Sequence, residues 1–171
     1  MKAKLKVLIG AVGLLSAIAA QAYQADIQVN ANIDPTASLT LSDGSALPSS
    51  VTMNYTPQGG LAAYKNNIKI WSNAALDMNV SLGNDAQLVD STGNNNIPLT
   101  VSLNGTTLTT ANSVLNYSKL FPNGIANGSL PLQLIIKQTT PTEAVIAGQY
   151  SGTISLIVSQ ATTKDGSTPS A

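Results

Sequence analysis

Residues 23–35 read YQADIQVNANIDP, with an apolar side chain at each odd-numbered position from Ala25 to Ile33 and polar side chains between them. This period of two is typical of a strand with one buried face, because successive side chains in a strand point to opposite faces. At about 3.3 Å per residue the segment extends roughly 40 Å before Pro35 ends the alternation. Periodicity alone leaves two arrangements open: an ordinary first strand paired within its own sheet, or a strand that leaves its domain and completes a neighbouring molecule.

The residues before this segment have the features of a secretory leader. Lysines in the first six positions precede an apolar run over residues 7–20, which ends in the small-x-small triplet Ala20-Gln21-Ala22. The run is shorter than the ~20 residues that a membrane-spanning helix needs, which disfavours an uncleaved anchor helix. We therefore predict a signal peptide over residues 1–22 and an exported mature chain that begins at Tyr23.

The composition of the 171-residue chain excludes most catalytic chemistry. There is no His and no Cys, and all eight basic residues are Lys. This excludes nucleophile pairs that need His, zinc fingers and disulfides, and it disfavours nucleic-acid binding, which needs clustered cations. The acids Asp43, Asp85 and Glu143 show no carboxylate pairing typical of a hydrolase, and Asp85 and Asp90 lack the spacing of a calcium loop. We predict no enzyme activity, no cofactor, no metal site and no nucleic-acid partner.

The rest of the chain alternates in the manner of half-buried strands separated by turn residues. Asn104-Gly105 predicts a tight hairpin turn, because both positions favour positive φ. No internal repeat or linker divides the chain, so the pattern predicts one β-sandwich of about seven or more short strands. The predicted strands are Leu76–Leu82, Leu99–Leu103, Thr106–Thr110, Leu130–Ile136 and Tyr150–Val158, with shorter candidates at Leu39–Leu41, Val51–Tyr55 and Ile68–Trp71.

Four sequence motifs resemble the major pilins of class five fimbriae, the alternate chaperone-usher family that includes colonisation factor antigen I and cable pili. Their order and spacing carry the resemblance, which extends over most of residues 23–160, whereas residues 72–141 match only as alternating strands. The polar segment 161–171 departs from the family, since such pilins usually end earlier. The motifs are Ile27-x-Val29-x-Ala31-x-Ile33-Asp34-Pro35, Asp43-Gly44-x-x-Leu47-Pro48-x-x-Val51, Tyr55-x-Pro57 and Ala147-Gly148-x-Tyr150-Ser151-Gly152-x-x-Ser155-Leu156.

The resemblance implies an all-β, immunoglobulin-like sandwich that lacks its last strand and is completed by a donor strand from a neighbouring subunit. It divides the mature chain into a donor-strand extension over 23–35, a pilin domain over 36–160 and a polar C-terminal tail over 161–171. Pro35 would be the elbow between extension and domain. The inward face of the donor strand would consist of Ile27, Val29, Ala31 and Ile33. The candidate walls of the acceptor groove, which could equally be ordinary core positions, are Leu130, Leu132, Leu134, Ile136, Tyr150, Ile154, Leu156 and Val158.

The implied function is that of a major structural subunit of an adhesive fimbria. Its partners would be identical subunits, a periplasmic chaperone, an outer-membrane usher and a tip adhesin, and its location the cell surface after passage through the periplasm. Whether this subunit itself contacts a host cell-surface receptor stays open. The principal alternative is a secreted monomeric adhesin or carbohydrate-binding module, for which Tyr64 and Trp71 would be the stacking candidates. A further rival, a Gram-positive pilin with isopeptide crosslinks, is disfavoured because residues 164–171 are polar.

Overall fold

The computed structural model of the chain describes residues 36–141 and 146–168. The proposed donor-strand positions Ile27, Val29, Ala31 and Ile33 and the elbow at Pro35 lie outside the described residues. Among the residues that the structure describes, no helix has the length and hydropathy that a membrane span requires.

Short strands make up most of the regular structure in the described part of the chain. A single helical turn, α1, covers Tyr117–Leu120, and a 3₁₀ turn covers Ile125–Asn127. The strands are β1 (Ala37–Leu41), β2 (Tyr55–Thr56), β3 (Gly60–Leu61), β4 (Tyr64–Ser72), β5 (Met78–Leu82), β6 (Gln87–Asp90), β7 (Asn96–Leu103), β8 (Thr106–Thr107), β9 (Ser113–Leu115), β10 (Leu132–Gln138), β11 (Tyr150–Ser151) and β12 (Leu156–Gln160).

The strands form two principal antiparallel sheets. The larger sheet has the order β1-β4-β10-β7-β6-β11, with β8 paired to β7, and the smaller sheet has the order β12-β5-β9. A separate ribbon joins β2 to β3. The all-β sandwich predicted from the alternation is therefore confirmed.

The hydrophobic core lies between the two sheets. The larger sheet contributes alternate residues from its central strands, such as Ile68, Ile70 and Val101, and the smaller sheet contributes Met78 and Val80, each with at most 1% of its surface exposed. Period-two alternation places these side chains on one face of each strand. Burial of such side chains stabilises the fold by about 1.5 to 3 kcal/mol each, without disulfides.

The hairpin predicted at Asn104-Gly105 is confirmed. Asn104 has φ 48° and Gly105 has φ 85°, and the turn joins β7 to β8 with Leu103 opposite Thr106. Both residue types accept positive φ more readily than others, so the dipeptide sets the position of the turn.

The strand predicted over Tyr150–Val158 is divided in the structure. β11 pairs with β6 in the larger sheet, whereas β12 pairs with β5 in the smaller sheet, so the chain changes sheets between residues 152 and 155. At the crossing, the backbone of Gly152 passes against the Gln87 carbonyl so closely that a Cβ atom would collide with that oxygen. Sequence alternation continues through this point, and only the absent side chain of Gly152 permits the change of sheet.

We expect Gly152→Ala to destabilise the domain by about 2 kcal/mol, because the added methyl group meets backbone that cannot move aside cheaply. Urea unfolding followed by circular dichroism measures the effect. Gly148→Ala is the matched control, since a Cβ atom there would lie 3.6 Å from the Tyr150 ring, an ordinary contact. Equal stabilities of the two variants would contradict the close approach at Gly152.

The polar segment after β12 is held to the domain by one buried carboxylate. Asp77, with 0% of its surface exposed, accepts hydrogen bonds from the backbone N–H groups of Tyr117 (2.7 Å), Asp165 (2.7 Å) and Gly166 (2.9 Å) and from the Thr163 hydroxyl (2.9 Å). Burial alone raises the pKa of Asp77, but these four donors outweigh it and lower the pKa below its usual value. The carboxylate thus joins the start of β5, α1 and the segment after β12.

Candidate functional site: an open groove between the sheets

The two sheets leave an apolar gap beside β12, and β1, the outer strand of the larger sheet, approaches β12 where the gap narrows toward Thr36 and Gln160. β1 ends the larger sheet and β12 ends the smaller one, so each is paired on one side only among the described residues. The side chains that face the gap are apolar and only half-buried although they pack against the core. They are Ala37, Leu39 and Leu41 on the β1 side and Ile154, Leu156 and Val158 on the β12 side. We call this gap the open groove.

The register of β12 shows which of its backbone groups face the open groove. The Gly83 N–H donates to the Ser155 carbonyl (2.9 Å) and the Ala161 N–H to the Asp77 carbonyl (2.8 Å), so the odd-numbered residues of this stretch bond to β5. Antiparallel ladders alternate, and the even-numbered residues therefore point their backbone groups outward. The N–H and C=O groups of Leu156, Val158 and Gln160 thus form an edge without a ladder partner in residues 36–141 and 146–168.

The opposite rim of the groove has the same property. The Asn73 N–H donates to the Thr36 carbonyl (3.4 Å) and the Ser42 N–H to the Asn67 carbonyl (2.9 Å), so the even-numbered residues of β1 bond to β4. The backbone groups of Ala37 and Leu39 therefore point toward the gap. An extended chain in the groove would find donors and acceptors along β12 and apolar side chains beneath it. β1 and β12 approach each other at Ala37 and Val158, so pairing with β1 as well requires the two strands to separate.

The floor of the groove comes from the larger sheet. Tyr64 on β4 and Leu134 and Ile136 on β10 lie beneath a space of about 240 Å³, which Leu156 borders on the β12 side. The segment 46–53 covers part of this space and makes no hydrogen bond to another described residue. A mostly apolar space of this kind can bury apolar side chains.

One end of the groove is closed by a side-chain amide. The Gln160 Nε2 atom donates to the Thr36 carbonyl (3.0 Å), the Ser72 hydroxyl (2.9 Å) and the Asn73 Oδ1 atom (2.8 Å). We call this the proximal end of the domain, because Thr36, the first described residue, lies there. We call the opposite end, which carries Ile154 and the start of β4, the distal end. β4 runs from the distal end to the proximal end, so at about 3.3 Å per residue the two ends lie roughly 26 Å apart.

The structure brings together only some of the predicted wall residues. Leu134, Ile136, Ile154 and Leu156 line the 240 Å³ space, and Val158 lies beside Thr36 and Ala37 at the proximal end. β10 pairs on both sides, with β4 and β7, so it contributes floor side chains but no free edge. Leu132 is buried in the core, Leu130 precedes β10 with 45% of its surface exposed, and Tyr150 pairs with β6 away from the groove.

Sequence reasoning did not identify the β1 rim or the covering segment. Leu39 and Leu41 belonged to a predicted strand, but nothing in a short alternation reveals which strand lies at a sheet edge. Leu47 and Met53 lie in an irregular segment without a clear period. No local feature of β1 or of the segment 46–53 marks them as bordering a groove.

The aromatic residues considered for sugar stacking lie on opposite faces of β4. Tyr64 packs against the core, whereas Trp71, an odd number of residues later, points to the outer face. The Trp71 Nε1–H donates to the Thr40 hydroxyl (2.9 Å), and Gly128 lies against the indole ring. The two rings therefore cannot form one stacking platform.

The oxygens of Asp90, considered above as a cation ligand, are engaged by a turn. The Asn95 side-chain amide (2.7 Å) and the Thr92 hydroxyl (2.9 Å) both donate to Asp90 Oδ2. The Asn95 amide is the principal cause that lowers the pKa of Asp90 to about 2, and Thr92 and the backbone N–H groups of Asn94 and Asn95 add to it against the effect of burial. Asp90 thus acts as an acceptor that shapes the β6–β7 turn.

Comparison with known proteins connects this geometry to a family. A sequence model described as CS1 type fimbrial major subunit matches residues 23–159. The chain is 32% identical over 166 residues to the CFA/I fimbrial B subunit of Escherichia coli O78:H11 (strain H10407 / ETEC), covering 91% of this chain and 97% of that protein. It is 33% identical over 171 residues to the CS1 fimbrial A subunit of Escherichia coli, covering 93% and 99%. The CooA pilin from enterotoxigenic Escherichia coli is a similar solved structure, with TM-score 0.65, 28% identity, and coverage of 75% of this chain and 90% of that one.

Proposed function

The chain belongs to the family of CS1 type fimbrial major subunits, and we propose that it polymerises by donor-strand exchange, with residues 23–35 of one subunit filling the open groove of the next. As a fimbrial subunit it assembles with identical copies in an extracellular fimbria, an adhesive pilus, and its role is structural rather than enzymatic. The observation that carries the proposal is the open groove, which has unpaired strand edges on both rims and half-buried apolar side chains between them.

The extension and the groove are complementary in chemistry and length. Ile27, Val29 and Ile33 would each gain about 1.5 to 3 kcal/mol on burial, and the smaller Ala31 suits a shallower position. The alternate inward side chains of the extension, from Ile27 to Ile33, match the two-residue spacing of Ile154, Leu156 and Val158, with Gln160 at the closed end. The backbone of the inserted strand would complete the ladder of β12, and that of β1 once the two strands separate.

The geometry of the proximal end favours one direction of insertion. In this proposal each extension would depart from its own domain at Thr36, which lies against Gln160. An insertion parallel to β12 would bring Ile33 out at the acceptor's proximal end, where the acceptor's own extension also departs. An insertion antiparallel to β12 brings Ile33 out beside Ile154 at the distal end, and repetition then gives an open head-to-tail filament.

A subunit with this groove needs a transient partner before assembly. Half-buried apolar side chains beside free strand edges are the features that cause edge-to-edge aggregation. We propose that a periplasmic chaperone lends a strand to the groove, that an outer-membrane usher exchanges it for the extension of the next subunit, and that a tip adhesin ends the filament. The signal peptide predicted over residues 1–22 is consistent with passage through the periplasm.

The variant Val29→Lys tests the proposal, because it would place an unpaired charge in an apolar groove at a cost of several kcal/mol. We expect the yield of multimers that resist dissociation in detergent to fall by about tenfold or more, since each 1.4 kcal/mol is a factor of ten. Gel electrophoresis without heating measures this yield. Gln28→Lys is the control, because the alternation places residue 28 on the outward face. Normal assembly of Val29→Lys would show that the inward face has been misassigned.

A further inference from the structure

We propose that an apolar pocket at the distal end of the domain docks the body of the next subunit, so that consecutive subunits touch through a second contact besides the inserted strand. This inference rests on the proposed function, because it takes the donor strand as the tether between the two domains. We call the site the distal pocket, and its apolar lining is formed by Val51, Tyr55, Leu61, Ile97, Ile146 and Tyr150.

The distal pocket holds unusually exposed apolar side chains. Val51 is 43% exposed, Tyr55 is 45% exposed and Ile146 is 63% exposed, and all three border one space of about 570 Å³. Single exposed apolar residues are common on protein surfaces, but several around one concavity mark an interaction site. Covering them would release ordered water and stabilise a contact.

The distal pocket continues the open groove. Val51, Met53 and Gly152 border both spaces, so a strand that leaves the groove at its distal end passes directly over the pocket. The part of the donor subunit that reaches the distal pocket is therefore the part that follows Ile33. Asp34 and Pro35 come first, and then Thr36, where the donor's folded domain begins.

The tether between the two domains is too short to keep them apart. With Ile33 beside Ile154, the three steps from Ile33 through Asp34 and Pro35 to Thr36 span at most roughly 11 Å even when fully extended. The proximal end of the donor domain must then lie against the distal end of the acceptor. A second copy of this chain is consequently the occupant that the chain length itself delivers to the pocket.

The proximal end carries apolar side chains in a turn beside Thr36. The Thr36 N–H donates to the Asn73 Oδ1 atom (2.9 Å), which places the turn between β4 and β5 next to the departing extension. That turn carries Ala74, Ala75 and Leu76, all only half-buried. We assign this turn of the donor domain to the distal pocket of the acceptor.

The absence of Cys from the chain allows a direct test by crosslinking of assembled filaments. A subunit with both Ile146→Cys and Ala75→Cys is assembled, treated with a short bismaleimide, and heated in detergent to release donor strands. We expect a ladder of covalent multimers that involves most subunits. Val114→Cys with Ala75→Cys is the matched control, because Val114 is 56% exposed but lies on β9 at the other edge of the smaller sheet. No ladder, or an equal ladder in the control, would overturn the docking.

Filament stiffness gives a second measurement that does not depend on crosslinking. Ile146→Asp should leave strand insertion intact but remove the apolar contact, so that consecutive domains hinge at Pro35 and the persistence length in electron micrographs falls by about half or more. Val114→Asp should leave it unchanged. Filaments of normal stiffness from Ile146→Asp would contradict the docking alone, whereas filaments formed without residues 25–34 would contradict donor-strand exchange and this inference with it.

Discussion

A subunit that lacks residues 25–34 is expected to fold and be exported but to form no filaments. The deletion retains Tyr23 and Gln24 after the predicted cleavage site, and it removes every alternating position of the proposed donor strand. The domain from Thr36 onward should keep its two sheets and its core, which the described residues form among themselves. Electron microscopy of the cell surface measures the loss, and filaments of normal length would refute the donor role of this segment.

The complementary defect should arise from Leu156→Lys. This change places a charge on the inward face of β12, at the centre of the open groove, so the subunit could donate a strand but not accept one. The neighbouring variant Ile157→Lys is the control, because Ile157 is 49% exposed and points to the outer face of the same strand. The two defective subunits differ in which half of the exchange they can perform.

A mixture of the deletion and Leu156→Lys gives a sharper result than either variant alone. The groove of the deleted subunit can accept the extension of the Leu156→Lys subunit, after which neither partner can continue. We expect stable two-subunit species and no longer multimers, measured by size-exclusion chromatography with light scattering. Long polymers from the mixture would mean that subunits join by some other surface.

The second large effect concerns stability. Asp77→Ala should reduce the free energy of unfolding by about 3 kcal/mol or more, because it leaves three backbone N–H groups and the Thr163 hydroxyl without their acceptor. The Asp85→Ala control changes an exposed acid and should stay within about 0.5 kcal/mol of wild type. Urea unfolding at neutral pH distinguishes them, and equal values would contradict the role of Asp77 in holding the segment after β12.

The same carboxylate predicts the direction of acid sensitivity. The pKa of Asp77 is lowered in the folded protein, so its stabilisation is fully present above the ordinary Asp pKa of about 4 and is lost as the pH falls through the lower folded value. In Asp77→Asn the free energy of unfolding should therefore fall less steeply as the pH drops below about 4. Asp90 and Asp43, whose pKa values are also lowered, keep contributing to that loss in both proteins. An unchanged slope in Asp77→Asn would contradict this assignment.

Local sequence patterns were sufficient to predict features that depend only on neighbouring residues, such as strand content and the position of a tight turn. Alternation identified the all-β class, because the side-chain period of a strand does not depend on its partners. Asn104-Gly105 located the hairpin because positive φ is a property of the residues themselves. The strand over Val51–Tyr55 was wrong except at its last residue, since the segment 46–53 lies irregularly over the groove with no neighbouring strand to pair with.

The groove depends on which strands lie at the edges of their sheets, and sequence alternation does not predict this. Ile136 and Val158 were predicted as walls, and the sequence pattern treats them alike, yet β10 is paired on both sides and β12 on one. Whether a strand is central or at an edge depends on contacts between residues far apart in sequence, and a period of two is the same in both cases.

The sequence by itself determined the strand content and the tight turn, and its period of two predicts that the odd-numbered residues 25–33 share one apolar face. The tertiary structure decided which backbone groups lack partners, where the chain changes sheets at Gly152, and how Asp77 holds the segment after β12. The physical reason is the range of the interactions. Side-chain direction and backbone conformation are local, whereas an open edge exists only once every other strand has found its neighbour.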